Sequence, residues 1–153
     1  VDVISQGRAC LVFLFDPMLS QTPSGFVSQM LLSSIVHFRL GLPTANFLSK
    51  SDLLDPETLE KILDWGENLD ILESALYEES ANQSLNAAQG GQRAEFAIGQ
   101  LRMMKHASIQ PGLIPLSIEM EEGLADILTF AQSIFGGMAD TRDGFQGDIE
   151  HEL

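Results

Sequence analysis

Three short apolar runs, separated by longer stretches with helical spacing, set the pattern of this chain. Residues 9–15 (Ala-Cys-Leu-Val-Phe-Leu-Phe) are apolar at every position and stop at Asp16-Pro17. A continuous run of that length, rich in aromatic and branched side chains, predicts a strand covered on both faces. Residues 45–48 (Ala-Asn-Phe-Leu) predict a second buried strand, and residues 112–117 (Gly-Leu-Ile-Pro-Leu-Ser) a third. Pro115 cannot donate to a ladder on both sides, so the third strand belongs at an edge.

Helices fill the intervals. Thr22 is a capping residue with Pro23 at the first helical position, and residues 26–40 follow with Val27, Met30, Leu31, Ile35 and Phe38 in helical period. Gly41-Leu42-Pro43 ends that helix. Asp55-Pro56-Glu57 opens another by the same logic, running through Leu59, Ile62, Leu63 and Trp65 to Gly66. Residues 69–79 read as a second short helix, and residues 80–91, poor in bulky side chains, as a loop or frayed helix. Helical spacing returns over residues 92–106. Glu121-Glu122-Gly123 is expected to start the last helix, its acids suiting the helix dipole. That helix carries the cleanest amphipathic stripe, Leu124, Ile127, Leu128, Ala131, Ile134 and Phe135, and stops at Gly136-Gly137. Residues 1–8 read as the end of a helix, and residues 140–153 as a disordered acidic tail.

Strand, helix, strand is a crossover unit, which makes the strands parallel. The whole order predicts an α/β fold, the rear part of a doubly wound, mostly parallel sheet with three strands and flanking helices. One partial domain is expected over residues 1–137, followed by a tail over residues 138–153.

Charge narrows the function. With 22 acidic against 8 basic residues the chain carries a formal charge of -14, which argues against a nucleic-acid surface. The imbalance comes from scarce Lys and Arg and reads as a solubility device. A single cysteine, Cys10, allows no intrachain disulfide and is expected in the core. Three scattered histidines give no metal site. His37 is expected at or near the surface, and Met103 and Met104 as core filler. No stretch reaches the roughly 18 apolar residues of a membrane span, and no signal peptide is visible, so a cytoplasmic location is the expectation.

The chemistry concentrates in Ser49-Lys50-Ser51-Asp52, directly after the second strand. In an open α/β sheet, ligands bind beyond the carboxyl ends of the strands. An aspartate there can accept two hydrogen bonds from the ring N–H and exocyclic amine of guanine, while a lysine stem lies along the base. The plainer reading is a polar loop in which Asp52 or Asp55 caps the next helix. A second loop, Ser117-Ile118-Glu119, leaves the third strand in the same sense. Asp16, closing the first strand, has two readings: a magnesium-binding aspartate, or the simpler opening of a turn with Pro17.

The segments Leu11-Val12-Phe13-Leu14-Phe15-Asp16-Pro17, Thr22-Pro23-Ser24-Gly25-Phe26-Val27-Ser28, Asn46-Phe47-Leu48-Ser49-Lys50-Ser51-Asp52-Leu53-Leu54 and Ile114-Pro115-Leu116-Ser117 together resemble the GPN-loop GTPases. The resemblance covers about residues 1–137. It implies a P-loop NTPase type of sheet and binding of GTP or GDP. Asp52 would hold the guanine edge, Lys50 would lie on the base and Ser49 would brace the loop. Ser117 and Ile118 would form the second base loop, with the Ile118 N–H toward the guanine oxygen. It further implies a homodimer or heterodimer of GPN-loop proteins and a link to RNA polymerase assembly. The sequence departs from the family in lacking G-x-x-x-x-G-K-[ST], the Gly-Pro-Asn triplet and an Asp-x-Pro-Gly segment. No catalytic residue is therefore assigned, and Mg2+ is expected only with a missing amino-terminal half. With Val1 in place of Met, the expectation is the carboxyl-terminal part of a GTPase, inactive by itself. The alternative is a non-hydrolysing assembly or interaction protein with a GTPase-like fold.

Overall fold

The computed structural model of the chain describes residues 9–84 and 90–136. Strands β1 (Leu11–Phe15), β2 (Thr44–Ser49) and β3 (Leu113–Leu116) form one sheet in the order β1-β2-β3. Both pairings are parallel, with Phe15 opposite Leu48 and Ser49 opposite Leu116. The helices are α1 (Pro23–Leu40), α2 (Pro56–Glu67), α3 (Leu69–Ser84), α4 (Gly90–His106) and α5 (Leu124–Gly136). This is the α/β sheet with flanking helices that the pattern predicts.

Local chemistry explains where the helices begin. The Thr22 hydroxyl accepts from the Gly25 N–H at 3.2 Å, and Asp55 accepts from the Thr58 N–H at 2.9 Å. Each satisfies an N-terminal donor that has no partner within the helix, and each is followed by proline, whose missing N–H costs nothing there. Gly41, at φ 62°, ends α1 and donates its N–H to the His37 carbonyl at 2.8 Å.

The core lies on one face of the sheet. Phe15 and Leu48 meet Phe26, Val27 and Met30 of α1, Ile62 and Trp65 of α2, and Leu72, Leu76, Leu101 and Met104 of the α3–α4 pair. A chain of rings crosses it: Phe13 to Phe15 at 5.6 Å, Phe15 to Phe26 at 5.5 Å, and Phe26 to Trp65 at 5.9 Å. Each such pair contributes about 0.5–1.5 kcal/mol beyond its buried area.

Several expectations are corrected. β1 is not covered on both faces: it lies at an edge, and Leu14 is 53% exposed. β3 is the other edge, as Pro115 requires. Helix α3 runs on to Ser84 and α4 starts at Gly90: within positions 80–84 Ala and Gln are good helix formers, and Ser and Asn weaken a helix without breaking it. Residues 1–8, 85–89 and 137–153, which include part of the expected loop and all of the expected tail, lie outside the described residues. Met104 is in the core, but Met103, one step around the helix, is 65% exposed. Ile35 and Phe38 of α1 also face out, and Cys10 is only half-buried. On α5 the apolar stripe is poorly covered, with Leu128 63% exposed. Helix α5 begins at Leu124, so Glu121 and Glu122 belong to the preceding loop. Among the described residues no helix is long and apolar enough to cross a membrane.

Candidate functional site

The carboxyl ends of three parallel strands share one edge of the sheet, and the predicted loops leave from there. Ser49 is the last residue of β2, and its hydroxyl donates to the Phe15 carbonyl at 2.9 Å, tying the ends of β1 and β2 together. Lys50 turns the chain out of the strand in a left-handed conformation, φ 50° and ψ 45°, and its side chain is exposed. A single 3-10 turn, Ser51–Leu53, follows, held by Leu53 N–H to the Lys50 carbonyl and Leu54 N–H to the Ser51 carbonyl, both at 3.1 Å.

Asp52 sits in that turn, exposed. Its Oδ1 accepts a hydrogen bond from the Ser117 hydroxyl at 2.5 Å. The loops after β2 and β3, 65 residues apart in sequence, thus meet through their side chains. Ser117 is fully buried, and its Oγ accepts in turn from the Met120 N–H at 3.1 Å. Its backbone pairs both ways with Glu122, at 3.1 and 3.0 Å, closing a tight loop over residues 118–121. Ile118 lies exposed in that loop. Glu121 takes φ 55° and Gly123 φ 75°, and a Cβ on Gly123 would stand 2.3 Å from the Pro115 carbonyl oxygen. The loop therefore returns against β3 at a distance only glycine permits.

A carboxylate offers about four lone-pair sites. Ser117 uses one on Oδ1, which fixes the orientation of Asp52 and leaves acceptors for a ligand with two adjacent N–H donors. The sequence places Ser117 in the second loop beside Ile118, without this side-chain bond. The available signal was a hydroxyl at the end of an otherwise apolar strand.

Asp16 stands just past the end of β1. Its Oδ1 accepts from the Met18 and Leu19 N–H groups at 2.9 and 3.0 Å, opening the turn after β1. The buried amide of Gln29 straddles it: Oε1 accepts from the Asp16 N–H at 2.6 Å, and Nε2 donates to the Asp16 carbonyl at 3.2 Å and to Ser20 Oγ at 2.8 Å. This network had no signal in the hydrophobic pattern. Among the described residues no group of three His, Cys, Asp or Glu side chains could hold a metal ion.

The family model described as "Conserved hypothetical ATP binding protein" matches residues 1–137. Among solved structures, the fold is similar to that of a GTPase in apo form from Pyrococcus abyssi, with a TM-score of 0.65 and 23% identity. The match covers 84% of this chain and 48% of that one, so the chain spans about half the length of that protein. No curated protein matches the chain.

Proposed function

The chain belongs to the GPN-loop GTPase family, the family described as conserved hypothetical ATP binding proteins, and from that membership we propose that its two base loops read the guanine of GTP or GDP. The observation that carries the reading is the Ser117–Asp52 hydrogen bond, which joins the loops and presets the carboxylate. Asp52 accepts from the guanine ring N–H and exocyclic amine. Lys50 lays its stem along the base plane, and the Ile118 N–H faces the guanine oxygen. Adenine presents a lone pair at the ring position where guanine presents a donor, so it meets the carboxylate with repulsion. The family description names ATP, and the donor–acceptor pattern here favours guanine over it.

Hydrolysis is part of the proposal only together with a phosphate-binding loop, which this sequence does not contain. That loop cradles the phosphates and, with Mg2+, supplies the chemistry. Ser49, Lys50, Asp52, Ser117 and Ile118 supply base selection. Dimerisation with itself or another GPN-loop protein, a cytoplasmic location and a role in RNA polymerase assembly belong to the same proposal by family resemblance alone.

The test is calorimetric titration of the 153-residue chain with guanosine, adenosine and xanthosine. Guanosine is expected to bind at least about tenfold tighter than adenosine, a difference of about 1.4 kcal/mol. Asp52→Asn should abolish that preference and favour xanthosine, whose extra carbonyl accepts from the new amide. Equal affinity for guanosine and adenosine, or an Asp52→Asn chain with unchanged preference, overturns the reading.

A further inference from the structure

The opposite edge of the sheet, at the amino end of β2, holds an open cleft of about 290 Å³ between α1 and the loop over residues 107–112. We propose that this cleft is a second ligand site, separate from the base loops, and that it takes a small uncharged aromatic amide.

Its walls are built on a buried polar floor. Asn46, in the central strand, accepts from the Ser33 hydroxyl at 2.5 Å and donates its Nδ2 to the Pro111 carbonyl. A single amide thereby joins helix, strand and loop, and two of its four hydrogen-bonding positions are used. An apolar residue would fill that position of a central strand at lower desolvation cost. The loop reaches over the floor through two left-handed residues, Ser108 at φ 56° and Gly112 at φ 51°.

Charge selects the ligand class. None of the residues lining the cleft is Asp, Glu, Lys or Arg, on a chain with a formal charge of -14. The neighbouring groove, on the far side of the same loop, is lined by Glu67, Asp70 and Lys105. An ionised ligand entering the first cleft would lose hydration without gaining a counter-charge.

Ring and amide have matching partners. Phe38 is 67% exposed at the cleft, edge-on to His37 with ring centroids 5.4 Å apart. An aromatic residue held open to solvent offers a face for a planar ring. His37 Nδ1 lies 2.9 Å from the Leu42 carbonyl, which it can meet only by donating. With Nδ1 engaged there, Nε2 is the ring nitrogen left for a ligand. The Gln110 side chain supplies an N–H donor for an amide carbonyl and an oxygen acceptor for an amide N–H, while the Thr44 hydroxyl is spent on the Leu42 carbonyl at 3.0 Å.

Three isosteric probes test the proposal: neutral benzamide, anionic benzoate and cationic benzamidine, titrated into the 15N-labelled chain at physiological salt. Benzamide should shift the side-chain amide signals of Asn46 and Gln110 saturably in the millimolar range, with the two charged probes at least tenfold weaker. Phe38→Ala, a change at an exposed position, should weaken benzamide about fivefold, and Gln110→Ala should weaken it as well. Asp52→Asn should leave it unchanged. The proposal is overturned if no saturable shift appears, if the three probes bind alike, if Phe38→Ala binds as the parent does, or if Asp52→Asn removes binding.

Discussion

The hydroxyl of Ser51 is shut away from solvent between Lys50 and Asp52, with no hydrogen-bond partner among the described residues. An orphaned buried hydroxyl costs about 1–3 kcal/mol relative to a satisfied one. Ser51→Ala is therefore expected to hold or raise the melting temperature and to leave guanosine affinity unchanged. A fall of several degrees would show that Ser51 has a partner in solution. Ser117 is the instructive contrast: it is just as buried, yet its oxygen both donates to Asp52 and accepts from the Met120 N–H. Both serines follow apolar strands, and nothing in the linear pattern tells the braced one from the orphan. The residue types of the candidate site were legible because Ser-Lys-Ser-Asp and Ser117 stand at strand ends. Which side chains touch was not, since that depends on a contact across 65 residues.

At the scale of elements, what could be read were the caps and the periods. Thr22-Pro23 and Asp55-Pro56 announce helices in sequence, and the structure uses them as such. The start of α5 was misplaced because Glu121-Glu122 looks like an acidic first turn, whereas Glu122 is spent pairing with Ser117. Glycine decides that loop. Gly123→Ala would combine a left-handed φ, costing about 1–2 kcal/mol, with a Cβ driven to 2.3 Å from the Pro115 carbonyl oxygen. Gly112→Ala shares the left-handed φ but meets nothing within 4 Å. Chemical denaturation should find Gly123→Ala the less stable by at least about 1 kcal/mol, the scale of an overpacked contact, with guanosine binding lost as well. Equal stabilities would remove the close approach from the argument. The α3–α4 pair makes a different prediction. Hydrogen bonds from Lys105 and then Arg102 hold the Glu73 carboxyl below its ordinary value of 4.5. A lowered carboxylate pKa gives stability that is fully present above 4.5 and is lost as the pH falls through the lowered value. Thermal melts between pH 7 and pH 3 should show the parent losing more on acidification than Glu73→Gln. Matching pH profiles would mean that the pair adds nothing to the folded state.

For the whole molecule, two properties oppose each other: a formal charge of -14 that keeps copies apart, and an unpaired apolar edge that draws them together. Among the described residues no strand lies beside the outer side of β1, which presents backbone donors and acceptors there, and Leu14 stands exposed within it. Such an edge is a template for pairing with another chain. The exposed stripe of α5 adds apolar surface, and long-range charge repulsion falls away beyond about 8 Å at physiological salt. Edge pairing should therefore prevail once salt is present, and the 153-residue chain is expected to self-associate in sedimentation velocity, more strongly at 0.15 M salt than at low salt. Leu14→Lys places a charge in the edge, a device by which natural edge strands avoid such pairing, and should shift the distribution toward monomer. Because Leu14 is outside the packed core, the variant should keep the parent's circular dichroism. A monodisperse parent at both salt concentrations, or a Leu14→Lys chain that associates as the parent does, would show that β1 is not the surface through which copies meet.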